Sequence, residues 1–213
     1  MTSLIKAGGL LALAGSAAYI LWRRHPQDEP YKDPEKAAIE FCKRGMEYYV
    51  AGRFSALSGK SIIVSGNILH HAIEMFLKGG LCMRGSQSRQ QIRSMGHNLK
   101  RAWKAFKKTC PDPRLNALDS AVKDLDKFED LRYPDKMMSS GMVGMFILKR
   151  EHVKDTYVSN PKGPIPPKYA YIMEDVDELV KLIFEASRIS PGFFQMHGET
   201  LTMLQKYNDH SVL

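Results

Sequence analysis

Residues 69–78 of the chain read Leu-His-His-Ala-Ile-Glu-Met-Phe-Leu-Lys, and they lie within a helix that the sequence predicts from about Lys60 to Met83. Apolar and small residues recur along this segment mainly at spacings of three and four, the pattern of a helix with one buried face. They are Ile62, Leu69, Ile73, Phe76, Leu77 and Gly80. Glu74 and Lys78 are four residues apart and form an ion pair on another face. The stretch therefore combines a core-facing side with a row of ionisable side chains.

Four further segments show helical periodicity. Asp33 followed by Pro34, and Asp112 followed by Pro113, suit the N-cap and the first position of a helix. The apolar stripes are Ala38, Phe41, Cys42, Gly45 and Tyr49; Leu99, Trp103, Phe106 and Cys110 in a helix starting near His97; Leu115, Leu118, Val122, Leu125 and Phe128 in a helix running to Pro134; and Ile172, Val176, Leu179, Val180 and Ile183 in a helix from about Tyr169 to Arg188. Five amphipathic helices without a convincing sheet predict an all-α fold, an antiparallel helical bundle.

The remaining segments interrupt or flank this bundle. Gly85 and the polar residues up to Arg93 predict a loop. Between residues 139 and 168 the periodicity breaks down, residues 145–148 resemble a short strand, and five Pro and Gly residues predict an irregular connection. We therefore assign the bundle to residues 33–190, with an insertion at about 139–168 and a C-terminal tail at 191–213.

The composition is that of a folded domain with a basic surface. Hydrophobic residues make up 44% of the 213 positions, enough for one domain with a core, and the formal net charge is +8. This charge favours acidic partners such as nucleic acid or anionic lipid. Part of it is clustered at Lys100, Arg101, Lys104, Lys107 and Lys108. Such a cluster is a solvated helix face, a nucleic-acid surface or a membrane-facing patch. The three cysteines are scattered, which indicates a reducing compartment for most of the chain.

The amino-terminal segment is apolar. Residues 7–22 carry no charge, and extension to Leu4 brings the run to about the lower limit for one transmembrane helix. Arg23 and Arg24 follow it, which favours a cytoplasmic location for the C-terminal domain. A signal peptide carries its positive charge before the apolar run, so we expect an uncleaved single-pass anchor at residues 1–25 and a linker at 26–32. A cleaved signal peptide and a buried helix are the alternatives.

Three motifs, in this order and separation, resemble the HEPN family. They are His70-His71-Ala72-Ile73-Glu74 with Leu77-Lys78, then Gly96-His97-Asn98-Leu99, then Arg132-Tyr133-Pro134-Asp135. The resemblance covers about residues 33–190. It implies a helical, nucleotide-associated domain of a kind that often cleaves RNA. Many HEPN ribonucleases separate an Arg from a His by four to six residues, and no Arg in this chain has a His at that distance.

The candidate ligand-binding residues are the polar members of these motifs. His70, His71, Glu74, Lys78, His97 and Arg132 form this set, and we assign no catalytic residue, metal ligand or cofactor. Arg132 suits a phosphate group, or it pairs internally with an acidic neighbour such as Asp135. The histidines and Glu74 form either a buried polar cluster that fixes helix packing or a ligand contact. A metal site of His70, Glu74 and His97 is the weakest interpretation, because the order is not that of a His-Glu-x-x-His zinc hydrolase.

Together these features predict a membrane-anchored HEPN-like domain that binds nucleotide or RNA without cleaving it. The alternative is a membrane-tethered protein–protein interaction module that docks a partner or forms a homodimer and carries out no ligand chemistry. Its recognition elements would be the insertion and the C-terminal tail. The membrane contact is expected through residues 4–22 in either case.

Overall fold

Six α-helices packed together dominate the computed structural model, which describes residues 31–57, 61–85, 87–133, 144–148, 167–190 and the isolated positions 135, 150, 192, 198 and 199. The helices are α1 (Pro34–Leu57), α2 (Ile62–Met83), α3 (Arg89–Ser94), α4 (Leu99–Thr109), α5 (Asp119–Lys127) and α6 (Met173–Ser187). Two 3-10 helices, Pro113–Leu118 and Phe128–Arg132, flank α5. Two strands, β1 (Gly144–Leu148) and β2 (Pro167–Ile172), form a parallel pair.

The long helices α1 and α2 form an antiparallel hairpin, and the other elements pack around α2. Asp33 caps α1 as predicted, accepting a hydrogen bond from the Lys36 amide at 2.8 Å. Gly45 allows the two helices to approach closely, since a Cβ atom there would lie 2.7 Å from the Phe76 ring. Another face of α2 packs even more closely against the second 3-10 helix, because a Cβ atom at Gly66 would lie 2.1 Å from the Phe128 ring. Helix α2 is therefore the central helix of the fold.

Most residues of the predicted apolar stripes are buried in the core, whereas Phe41, Ile62 and Ile172 are only partly buried. Every residue of the stripes in α4 and along the segment 115–128 is buried, and Trp103 is stacked on Phe106 with ring centroids 6.1 Å apart. The single long helix expected up to Pro134 is instead divided into a 3-10 helix, α5 and a second 3-10 helix. The described cysteines Cys42, Cys82 and Cys110 are free and buried, and burial raises the pKa of Cys42 to about 12.

The loop predicted from Gly85 to Arg93 contains the short helix α3, so that prediction is wrong in part. The Ser88 hydroxyl accepts from the Gln91 amide while the Gln91 side chain accepts from the Ser88 amide, which is a capping box. Ile92 is buried and attaches α3 to the core. This one apolar anchor is too little to produce a helical periodicity in the sequence.

The two-stranded sheet corrects the all-α prediction. Residues 145–148 do form a strand, but residues 169–172, assigned to the last helix, form the strand that pairs with them. Aromatic rings explain this conformation, because Tyr169 and Tyr171 both pack edge-on against Phe128, and the Tyr171 hydroxyl lies 2.6 Å from the Ser65 Oγ atom. The fold is therefore mostly helical, with a small parallel sheet beside the helices.

A buried ion pair joins α1 to α6. Arg53 is 1% exposed, and its Nη1 atom donates to Asp177 Oδ1 and, at 2.8 Å, to the Tyr49 hydroxyl. That hydroxyl donates to the same Asp177 oxygen at 2.5 Å. Burial raises the pKa of Tyr49 well above its ordinary value, and Asp177 raises it further. The pair fixes the position of α6 against the hairpin.

The predicted anchor at residues 1–25 and most of the linker, the insertion and the tail lie outside the described residues. Within the described part, no helix is both long and apolar enough to cross a membrane.

Candidate functional site

The six predicted site residues lie on α2, on the turn before α4 and at the end of the second 3-10 helix. Helical spacing aligns His70, Glu74 and Lys78 along one side of α2. Unlike most ionisable side chains of a helix surface, Glu74 and Lys78 are buried, being 1% and 7% exposed. The turn at residues 95–98 covers them, and Gly96 in this turn has φ +57, a left-handed conformation that favours glycine. The turn also places His97 over α2.

Glu74 is the centre of the site, because its carboxylate accepts from three side chains. Lys78 Nζ donates to Oε1 at 2.5 Å, while His97 Nδ1 and His71 Nδ1 lie 3.0 and 3.3 Å from Oε2. Burial alone would raise the pKa of Glu74, but the hydrogen bonds from His71, Lys78 and His97 outweigh it and lower the pKa to about 2. Glu74 is therefore ionised at neutral pH, and we call Glu74, His71, Lys78 and His97 the Glu74 network.

Lys78 ties this network to the backbone. Its ammonium group donates to the Gly96 carbonyl at 2.9 Å in addition to Glu74. The two acceptors compensate a buried charge that would otherwise be costly. The sequence-based ion pair between Glu74 and Lys78 is confirmed. Because Lys78 also donates to the Gly96 carbonyl, the buried pair holds the turn before α4 in place.

His70 occupies a different environment from its neighbour His71. It has no exposed surface, and its two ring nitrogens lie 3.1 Å from the Leu125 carbonyl oxygen and 3.0 Å from that of His97. Burial lowers the pKa of His70. A neutral imidazole carries one N–H group, so it donates to one of these carbonyls at a time. The ring connects α2 with α5 and with the turn before α4, which is a packing contact.

Arg132 lies at the edge of the same region and pairs with Glu129. Its Nη1 atom donates to Glu129 Oε1 at 3.2 Å, whereas the sequence suggested Asp135 as the acidic neighbour. The other Glu129 oxygen lies 3.8 Å from His70 Nε2, too far for a hydrogen bond. The pKa of Arg132 is raised, mainly by the hydrogen bond with Glu129, and the charge of Glu74 adds to this increase.

The solvent-accessible side chains of the site are two histidine rings and one arginine. The side chains of His97 and Arg132 are 50% and 40% exposed, and that of His71 is 20% exposed. The His71 ring lies 5.3 Å from that of His97 and 5.9 Å from that of Tyr48, measured between centroids. We call Tyr48, His71, His97 and Arg132 the rim. Tyr48 and Glu129 were missed by sequence reasoning, although Glu129 precedes Arg132 by one helical turn.

Three side chains of the site are close enough together to hold a metal ion. Each of His70, His71 and Glu74 offers a ligand atom within 4.8 Å of the others, a set that differs from the predicted one in containing His71 in place of His97. However, Glu74 already accepts from the Lys78 ammonium group, and both nitrogens of His70 face carbonyl oxygens. A divalent cation here would lie beside a buried ammonium group. The arrangement therefore suits a network of proton donors around a carboxylate better than a metal centre.

Comparisons of the chain with known proteins found no matching family model, no similar curated protein and no similar solved structure. The HEPN resemblance accordingly remains a prediction from the three motifs.

Proposed function

We propose that this chain is a membrane-anchored, HEPN-like domain that binds nucleotide or RNA through the rim, without cleaving it. The observation that carries the proposal is the convergence of residues from distant motifs around Glu74, next to an exposed arginine. In this arrangement Glu74 orients His71 and His97, His70 and Lys78 hold the backbone that carries them, and Arg132 contacts phosphate. The net charge of +8 supports an anionic ligand.

Arg132 has the donors that a phosphate contact requires. A guanidinium group carries five N–H donors, and among the described residues Arg132 uses one of them, on Glu129. Its carbon Cζ lies 6.0 Å from the centroid of the Tyr133 ring, and Tyr133 is 63% exposed. Exposed aromatic rings beside arginine are suited to stacking the bases of single-stranded RNA. Arg132 and Tyr133 therefore offer a phosphate contact and a base contact side by side.

The absence of one catalytic spacing supports the proposal of binding without metal-independent cleavage. Many HEPN ribonucleases have an Arg and a His separated by four to six residues, and no Arg in this sequence has a His at that distance. In addition, His71 and His97 each direct Nδ1 at Glu74, so these nitrogens are committed to the network.

The test compares affinity and stability for one substitution and a matched control. Arg132→Ala should weaken binding of a short single-stranded RNA by about 1.5–3 kcal/mol, the range for a hydrogen bond to a charged group. Arg114→Ala is the control, since Arg114 is also exposed and paired with acidic residues, namely Asp112 and Glu185. Unfolding midpoints should change little for either variant. Intact binding together with lost stability for Arg132→Ala would assign Arg132 a structural role and contradict the proposal.

Membrane attachment through residues 4–22 is the other part of the proposal. The full-length chain should remain in the membrane fraction after alkaline extraction, with its C-terminal domain accessible to protease from the cytoplasmic side. Release of the intact chain by alkali would contradict an anchor.

Exposed apolar side chains favour the interaction module as a second candidate. Phe54, Leu57 and Val64 are 56%, 40% and 52% exposed, and all lie at the end of the hairpin where α1 meets α2. Exposed apolar patches mark interaction sites in many proteins. Phe54→Ser/Val64→Ser should abolish homodimer formation in sedimentation experiments if this end is the interface. Deletion of 139–168 is a less suitable test, because it removes β1.

A further inference from the structure

A second candidate site lies beside the Glu74 network, in a cleft of about 450 Å3 between α1, α2 and α3. Its apolar lining includes Tyr31, Phe41, Met75 and Ile92. The volume falls within the range of small-molecule sites, about 300–1,000 Å3. Lys78 lines the cleft and also belongs to the Glu74 network. The cleft and the network therefore meet at one residue.

The charges of the cleft are strongly unbalanced. Its lining contains the cations Arg44, Lys78, Arg89 and Arg93 but one acidic residue, Glu40. Three of these five charges have partners already: Lys78 pairs with Glu74, Arg44 with Glu47, and Glu40 with Lys43. Within the described ranges, no carboxylate pairs with Arg89 or Arg93.

Helix α3 holds these two arginines in fixed positions. Arg89 and Arg93 are four residues apart and so project from the same side of the helix. The capping box of Ser88 and Gln91 fixes the start of α3, and a hydrogen bond of 2.8 Å from Arg101 to the Ser94 carbonyl fixes its end. Between them, buried Ile92 anchors the helix. The two guanidinium groups are thus carried by a helix secured at both ends.

Two aromatic rings line the cleft together with the arginines. Tyr31 and Phe41 lie with ring centroids 6.4 Å apart and planes at 86°. Burial raises the pKa of Tyr31, whereas Arg89 and Arg93 act in the opposite direction, which places both arginines within electrostatic reach of the Tyr31 hydroxyl. The cleft therefore combines two aromatic rings, set nearly at a right angle, with two arginines that have no carboxylate partner among the described residues. A planar aromatic group bearing a phosphate matches both features.

We infer that this cleft binds a nucleoside monophosphate group, either free or as one unit of an RNA chain, with the base against Tyr31 and Phe41 and the phosphate on Arg89 and Arg93. The inference rests on the proposed function and identifies the cleft as the subsite for one nucleotide. The rim then contacts the rest of a longer ligand. AMP and each unit of an RNA chain both contain a base and a phosphate group. The experiment distinguishes a free nucleotide from one unit of RNA.

The experiment measures dissociation constants with the full-length protein in detergent. The probes are AMP, ribose 5-phosphate and a short single-stranded RNA. Arg89→Gln/Arg93→Gln should weaken AMP binding by about 30-fold or more, because each hydrogen bond to a charged group is worth about tenfold or more. The control Lys100→Gln/Lys104→Gln removes the same charge from α4 and should change AMP affinity by less than about threefold, since exposed charges act weakly at physiological salt.

The two aromatic rings have their own test. Ribose 5-phosphate should bind the wild type at least about fivefold more weakly than AMP, because stacking one base contributes about 1–3 kcal/mol. Phe41→Leu should weaken AMP binding while leaving ribose 5-phosphate binding unchanged. Equal binding of the two probes would overturn the placement of the base. A further outcome is that the wild type binds RNA but not AMP. If Arg89→Gln/Arg93→Gln then weakens RNA binding, the nucleotide in the cleft is a unit of an RNA chain.

The outcomes separate this inference from the proposed function. AMP and RNA binding that survive Arg89→Gln/Arg93→Gln but are lost in Arg132→Ala would overturn the cleft and leave the proposed function intact. If the arginine and lysine double variants lose the same amount of affinity, binding depends on net positive charge alone. That result would also overturn the cleft. If the wild type binds neither AMP nor RNA at low salt, the proposed function fails and the cleft inference fails with it.

Discussion

Replacing Glu74 with Gln should destabilise the fold at neutral pH and have little effect in acid. The lowered pKa of Glu74, about 2 instead of 4.5, means that the folded state favours the ionised carboxylate. A tenfold change in acidity corresponds to about 1.4 kcal/mol, so the interactions of the carboxylate are worth about 3 kcal/mol. Because the pKa is lowered on folding, this stabilisation is fully present above pH 4.5 and is lost as the pH falls towards 2. Glutamine also leaves the buried ammonium group of Lys78 without its carboxylate.

The assay is the free energy of unfolding, measured by denaturant titration at several pH values between 6 and 2. The difference between the wild type and Glu74→Gln should fall from about 3 kcal/mol at pH 6 to less than about 1 kcal/mol at pH 2. Glu74→Gln/Lys78→Met removes both charges and should recover part of the loss at pH 6, since no ammonium group is left unpaired. A difference that stays constant over the whole pH range would show that Glu74 acts through packing and would refute the reasoning.

Three further outcomes are expected. Trp103→Ala should cost about 3–5 kcal/mol in the same assay, as for other large aromatic truncations in cores, and a change near zero would contradict the burial of the ring. Arg53→Met should cost about 3–5 kcal/mol, whereas Arg53→Met/Asp177→Leu should cost much less because no charge stays buried alone; equal costs would argue against the pair. Deleting residues 1–25 should leave the helical circular-dichroism signal and cooperative unfolding intact, since the buried residues of the described core begin at Ala38. Aggregation of that truncated chain would instead place residues 4–22 in the core.

The helices and their buried faces were predictable because they depend on local patterns. Asp33 caps α1, and the stripes around Leu69 and Phe106 are the ones that pack. The strand at residues 167–172 was not predictable in this way. Its apolar residues continue the helical spacing of α6, and its pairing with β1 joins segments that are separated along the chain. Strand pairing between distant segments leaves no periodic signal in either segment alone.

Part of the candidate site, the polar residues of the three motifs, was predictable from the sequence, but Tyr48, Glu129 and the internal geometry were not. Helical spacing brings His71, Glu74 and Lys78 together, and the Gly96-His97 turn matches the second motif. The partner of Arg132 depends on the 3-10 conformation of residues 128–132, which places Arg132 beside Glu129 three positions earlier, whereas the sequence analysis named Asp135. The depth of burial of Lys78 depends in the same way on the turn that covers it.

The order in which the molecule folds follows from which contacts are local. The α1–α2 hairpin unites residues that are close in the chain, so little loop entropy opposes its formation. By comparison, Tyr49 meets Asp177 across 128 positions and Ser65 meets Tyr171 across 106. Contacts of such separation slow folding, because the intervening chain must be ordered before they form. We therefore expect the hairpin to form early, and the docking of β2 and α6, which completes the buried Arg53–Asp177 pair, to come late.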